Sequence, residues 1–292
     1  MRRYKKFKDG ILFALPWIIG LGLFTVYPIG ASIFYSLTDY NILQPPYYIG
    51  LQNYKGLFSD EVFWISLYNT FYFSIIALPL QLLCAFFIAL LLNMHIKGIS
   101  VYRTIFFLPT LVPGVVNAML WRWIYDADVG MINSILNRIG VINPPLWLAD
   151  PSWAKPALIL MSLWGVGGTV VILLASLKEV PKELYESAEL DGASSLIKTI
   201  YITIPMISPV ILFNIIMGII GSFQYFTEAY IMTGGGPMRS TTFYALYLYE
   251  NAFRFFKLGY ASAQAWILFI IVFILTILIL RLLKNRVYYG GQ

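Results

Sequence analysis

Charge is scarce in this sequence. Only 12% of its 292 residues are Asp, Glu, Lys or Arg, against about a quarter in a soluble domain. Cysteine and histidine are nearly absent, with one of each, Cys84 and His95. An intrachain disulfide and a Cys/His metal cluster are thereby excluded. So is an intramembrane enzyme built on a histidine cluster or a nucleophile beside its base. No G-x-x-x-x-G-K-[ST] segment occurs, so the chain lacks that device for holding nucleotide phosphates. What is abundant is apolar: 59% of the residues are hydrophobic and 17% aromatic. The net charge of +6 then reads as the signature of membrane orientation rather than of a nucleic-acid partner.

Runs of about 20 apolar residues match the length a helix needs to cross a bilayer. Six are expected: Ile11 to Leu37, Asn69 to Leu92, Thr104 to Trp123, Pro156 to Leu177, Ile207 to Met232, and Tyr260 to Leu283. Their length predicts helices, not barrel strands. The first run is too long for a signal peptide and is read as a retained span. With the N-terminus inside, 13 basic residues face the cytoplasm and seven face out. Among the inner ones are Arg2, Lys97, Arg103, Lys178, Lys182, Lys198 and Arg286. Both termini are therefore expected in the cytoplasm. Trp64, Trp121, Trp123, Trp147 and Trp153 fall near outer span ends, where an aromatic belt forms. "VGMINSILNRIG" predicts a short interfacial helix in an outer loop.

One inner loop is long, and it carries four acids within "ELYESAELDGASSLIKTIYITIP" (183–205). Pro181 suits the first turn of a helix, and Glu183 favours the positive end of its dipole. "PKELYESAEL" reads as one short helix, Asp191-Gly192 as a turn, and "SSLIKTIYITI" as a second helix ending at Pro205. Leu184, Leu190, Leu196 and Ile197 are available to tie this corner to the membrane domain. Ala188, Gly192 and Ala193 permit close approach, while Glu186, Glu189 and Asp191 offer a charged edge. On these residues alone, a docking element and a simple amphipathic connector stand about level.

The pattern "ESAELDGASSLIKTIYITIP" resembles the EAA motif of bacterial ABC importer permeases, E-A-A-x-x-D-G-A followed by I-x-L-P. Glu186, Ala188, Asp191, Gly192, Ala193, Ile202 and Pro205 match; Ser187 and Ile204 depart mildly. "TGGGP" (Thr233 to Pro237) and "GYASA" (Gly259 to Ala263) resemble the carbohydrate branch, to which the maltose permease belongs. The resemblance covers nearly the whole chain. It implies an all-α membrane protein with six transmembrane helices in the type I (MetI-like) permease fold. The implied order is a cytoplasmic N-terminus (1–10), a first helix (11–37), an extracytoplasmic loop (38–68), a permease core (69–283) and a cytoplasmic C-terminus (284–292). The core contains a coupling loop (178–205), with Glu186, Ala188, Asp191, Gly192 and Ala193 meeting an ATPase.

The same resemblance implies partners: a second homologous permease, two copies of an ATP-binding subunit that hold ATP and Mg, and an extracytoplasmic solute-binding protein. No cofactor is expected in this chain, nor any nucleic acid; lipid surrounds it. Polar and glycine-rich stretches inside spans are costly and tend to face a path. Trp164, Gly165, Gly168 and Thr169 in span four, and Gly218, Gly221, Ser222, Gln224 and Tyr225 in span five, are the expected path residues; the resemblance to the maltose permease implies that Gly165, Gly168, Gly218, Gly221, Ser222 and Tyr225 occupy contact positions for a carbohydrate. Ser222 and Gln224 also admit plain helix-to-helix hydrogen bonding, and Glu228 is as well placed to reach outer water as to line a path. A glycerol-phosphate ester is the runner-up substrate; it would want cations that spans four and five lack. A self-contained secondary transporter is the rival class, but no internal repeat is evident.

Overall fold

The computed structural model describes residues 2–94, 96–284 and 287–288, with side chains from Leu12 onward. His95, Arg286, most of the segment 284–292 and the side chains of the basic stretch 2–8 lie outside the described residues. In chain order the helices are α1 (Arg2–Leu21), α2 (Tyr27–Ser36), α3 (Gln52–Phe58), α4 (Glu61–Leu92), α5 (Ile99–Phe107), α6 (Gly114–Ile124), α7 (Met131–Arg138), α8 (Pro151–Ser162) and α9 (Gly167–Glu179). They continue as α10 (Lys182–Leu190), α11 (Ser195–Lys198), α12 (Ile204–Met206), α13 (Ser208–Phe223), α14 (Thr227–Met232), α15 (Tyr244–Tyr249) and α16 (Leu258–Leu283). A short antiparallel pair joins β1 (Thr38–Asp39) to β2 (Tyr47–Tyr48), with Thr38 opposite Tyr48.

The chain clusters into two compact units, each discontinuous in sequence. One holds the chain up to Glu61 together with Leu248–Phe269. Within it, the Asn53 amide donates to the carbonyls of Ser36 and Thr38, both at 2.9 Å. The Tyr260 hydroxyl donates to Asp60 Oδ2 at 2.7 Å. Gly259 of "GYASA" packs directly on the end of α2: an added Cβ would run into the Thr38 carbonyl oxygen. This glycine is fixed by contact, not by flexibility.

The other unit holds Val62–Tyr247 with the remainder of α16. Lipid tails are as apolar as leucine, so close packing and polar links, rather than escape from water, hold membrane helices together. Accordingly α4 buries a small-residue stripe, Ala77, Ala85 and Ala89. One core cluster gathers Phe73, Tyr125, Leu158, Met161 and Phe243. A second gathers Leu92, Val170, Leu173, Leu177 and Ile207. Trp121 and Trp147, expected in an aromatic belt, pack against the first cluster instead. Trp64 and Trp123 are exposed, and the short helix expected in "VGMINSILNRIG" forms as α7.

Three expectations about spans need correction. The second begins at Glu61, not Asn69, so residues expected in an outer loop are helical. The third is no continuous helix from Thr104 to Trp123: α5 and α6 meet at 99°. Pro109 and Pro113 flank the break. Proline lacks the N–H that would close the helical ladder, and it drives the preceding residue toward extended backbone. The fourth also bends, by 43°, between α8 and α9. Four helices among the described residues are long and apolar enough to cross a membrane singly; counting each bent pair as one span brings the number to six.

Candidate coupling elbow and translocation site

The segment 182–206 folds into an elbow. Pro181 occupies the N-cap of α10, one position earlier than expected. The helix ends in a Schellman motif: Gly192 N–H donates to Glu189 O at 3.0 Å, and Ala193 N–H to Ala188 O at 2.9 Å. Closing those two bonds requires a left-handed residue after the helix, and Gly192 supplies it with φ +78°. Ser194 then caps α11, accepting from Ile197 N–H. The chain widens into a π turn over Thr199–Thr203 just before Pro205. That placement suits a proline unable to donate to the carbonyl four residues back. The second helix does not stop at Pro205; it runs through Met206, and Ser208 opens α13.

The leucines do not tie the elbow down. Leu190 is 90% exposed and Leu196 69%, and Leu184 and Ile197 are exposed as well. The inward stripe of α10 is Tyr185 and Ala188. Tyr185 packs against the second core cluster with Ile202, and its hydroxyl hydrogen-bonds Thr203 Oγ1 at 2.9 Å. Nor is the acidic edge wholly free, because Glu189 pairs with Lys198 across the turn. Glu186 and Asp191 remain exposed, and an added Cβ at Gly192 would meet nothing. The outcome is a stiff corner with apolar side chains turned away from its own unit.

Candidate path residues fall into three settings. Trp164, Gly165, Gly221 and Gln224 are exposed, and open space lies where a Cβ would stand on Gly168 or Gly221. The Trp164 ring meets Trp121 edge to face at 6.2 Å. Thr169 and Gly218 line a cavity of about 210 Å³ with Leu78, Gln81 and Asn214. Gly218 is also a packing residue, since a Cβ there would collide with Leu78. Tyr225 and Ser222 are engaged locally. Tyr225 stacks on Phe73 at 4.4 Å, and its hydroxyl is buried without a hydrogen-bond partner. Ser222 donates to Ile219 O in its own helix, so it links no neighbouring helix. Glu228 sits where α14 packs on α6, beside Gly114.

Two residues escaped the sequence reading. Gln81 is an amide within the apolar run of α4 that follows Asn69, and intramembrane polarity was the available signal. Gly167 lies between the expected path residues Gly165 and Gly168. It instead lets α9 rest on the bend after α5: a Cβ would strike the Phe106 carbonyl and lie 2.8 Å from Thr110 Cγ2.

The motif "TGGGP" is consumed internally. Thr241 Oγ1 donates to Gly236 O at 2.7 Å and Thr242 Oγ1 to Gly235 O at 3.0 Å. The Gly236-Pro237 peptide is cis. From α4, the Asn69 amide donates to Arg239 O at 2.9 Å and Thr242 O at 3.1 Å. Lys155 of α8 donates to Asn69 Oδ1 at 3.0 Å and lies over the rings of Tyr68 and Tyr72. In the loop after α6, Asp126 accepts from Val129 and Asp128 N–H, both at 3.0 Å. Those bonds, Val129 first, hold its carboxyl below the usual range.

Known proteins resemble this arrangement throughout. Residues 66–288 match the family model described as binding-protein-dependent transport system inner membrane component. The probable ABC transporter permease protein YesP of Bacillus subtilis (strain 168) is 42% identical over 287 residues, covering 97% of this chain and 93% of that protein. The lactose transport system permease protein LacF of Rhizobium radiobacter is 35% identical over 277 residues, with 92% of each chain covered. Among solved structures, a bacterial alginate ABC transporter in complex with an alginate pentasaccharide-bound periplasmic protein contains a chain with the same fold. That chain superposes with a TM-score of 0.86 at 23% identity, and 98% of each chain is covered.

Proposed function

The chain belongs to the family of binding-protein-dependent transport system inner membrane components, and from that premise we propose that it forms half of the membrane pathway of an ATP-driven ABC importer for a sugar or oligosaccharide. A second, homologous permease supplies the other half. An extracytoplasmic binding protein delivers the substrate. Two ATP-binding subunits hold ATP and Mg and carry out hydrolysis; this chain binds no nucleotide.

The elbow is the observation that carries this reading. A helix locked by a Schellman motif and pinned by Tyr185 transmits force without deforming. Its outward Leu190, Leu196 and Ile197 offer the apolar contact that a partner's groove would cover. Glu186, Ala188, Asp191, Gly192 and Ala193 lie on or beside that corner, on the cytoplasmic side, with both termini. ATP-driven closure of the two ATPases would carry the elbows with it, and the attached spans would then switch access to a site near the midplane.

The carbohydrate assignment draws support from relatives such as the lactose system and from the exposure of Trp164, Gly165, Gly221 and Gln224. An aromatic ring covers the C–H face of a sugar, and an amide reads its hydroxyls. Gly168, Thr169, Gly218, Ser222 and Tyr225 complete the proposed wall.

Gentle extraction of the tagged chain from its native membrane tests the assembly. Recovery with one related permease and two copies of an ATPase is expected. A chain that comes out alone and transports in vesicles without ATP would replace this reading with a secondary transporter.

A further inference from the structure

Four cations converge where the loop after α4, the start of α5, the end of α9 and the start of α10 meet. Lys97, Arg103, Lys178 and Lys182 line a cavity of about 640 Å³, together with Asn93 and Tyr185. Among the described residues, no aspartate or glutamate lines it. The ion pairs found among the described residues, Lys198–Glu189 and Arg254–Glu250, use none of these four. Arg103 is half-buried; it donates to Leu92 O at 3.0 Å, while its Nε is buried with no partner. Concentrated positive charge with no acid in the cavity lining calls for an anion.

A second cavity, of about 160 Å³, shares Arg103 and Lys178 with the first. Its other walls are apolar, including Phe106, Phe107, Val171 and Leu174. Phe106, Phe107 and Val171 are also exposed on the outside of the unit. The two cavities therefore join a cationic end to an apolar crevice.

We propose that this pair of cavities binds one acidic phospholipid of the cytosolic leaflet, its phosphate among Arg103 and the three lysines and an acyl chain along the crevice. A free phosphate would satisfy the cations and leave the crevice unfilled; a lipid satisfies both. Basic pockets between spans on the cytoplasmic side recognise such head groups. Tyr185 gives the site a consequence. The same side chain lines the head-group cavity and hydrogen-bonds Thr203, so an occupying lipid braces the elbow. The leaflet assignment rests on the proposed cytoplasmic placement of the elbow; the chemistry of the site does not.

The test uses the full chain with whatever subunits co-purify, in neutral detergent, titrated with phosphatidylglycerol or phosphatidylcholine of equal chain length. Native mass spectrometry reads the bound lipid, and this readout works whether or not the importer assignment holds. Phosphatidylglycerol should be retained and phosphatidylcholine lost. Lys97→Gln and Lys178→Gln, both at exposed positions, should each weaken retention about fivefold, as expected for one surface cation near an anionic lipid. Val171→Trp, which fills the crevice, should weaken phosphatidylglycerol without changing competition by inorganic phosphate. Equal retention of the two lipids, or lysine variants that bind as the parent does, would overturn the site. Displacement of lipid by inorganic phosphate, with Val171→Trp silent, would replace it with a small-anion site.

Discussion

The loop 233–247 and the elbow 182–206 both carry family sequence motifs with a glycine at positive φ, yet they spend their residues in opposite ways. In the loop, the threonines and glycines bond to one another, and Asn69, itself held by Lys155 of α8, reaches in from α4. Little is left over. In the elbow, local bonds fix the backbone while the leucines point out. A motif can therefore mark a folded joint or a presented surface. The test is whether its side chains find partners within the chain.

Substitutions can break that contrast. The largest stability loss is expected for Asn69→Ala, which removes its bonds to the Arg239 and Thr242 carbonyls and takes the side-chain acceptor from the Lys155 ammonium. Each unsatisfied buried group costs roughly 1–3 kcal/mol, so thermal unfolding of the purified protein should fall sharply; an unchanged midpoint would mean the joint is not held there. Gly235→Ala should cost about 1–3 kcal/mol by the same measurement. It forces a side chain onto φ +87° with its Cβ 2.8 Å from Thr242 Oγ1.

The elbow should behave in reverse. Gly192→Trp faces open space, so its internal cost is only the strain of positive φ, about 1–2 kcal/mol. It should nevertheless abolish transport in reconstituted vesicles while Gly192→Asn, which tolerates that φ, retains most of it. Normal uptake by the tryptophan variant would remove the coupling assignment. Leu190→Ser should leave stability within about 0.5 kcal/mol and lower the ratio of transport to ATP hydrolysis.

The smallest effect belongs to Asp126. Its folded pKa lies below the unfolded value, so its contribution is present above the unfolded pKa and fades as pH falls through the folded one. The hydrogen-exchange protection of the 126–130 loop, relative to the intrinsic rate at each pH, should fall on acidification, and Asp126→Asn should flatten that dependence.

Legibility followed the range of the interactions. The α10 helix and its turn at Gly192 were readable because a Schellman motif closes within a few neighbouring residues. The facing of Leu190 and Leu196 was not, since apolar residues alone do not say whether a helix face meets its own chain or another. Pro109 and Pro113 stood in plain view, but an average over a hydrophobic window hides a 99° bend. Gln81 disappeared into the same kind of average.

The sequence by itself determined a helical membrane protein, the position of its elbow and the family motifs, because apolar run length and proline or glycine chemistry act locally. Only the tertiary structure decided that Gly167, Gly218 and Gly259 are close-packing points and that Asn69 answers to residues more than 160 positions away. It also brought Lys97, Arg103, Lys178 and Lys182 to one cavity. Such placements depend on which helices lie side by side, and adjacency between distant segments leaves no local trace in the chain.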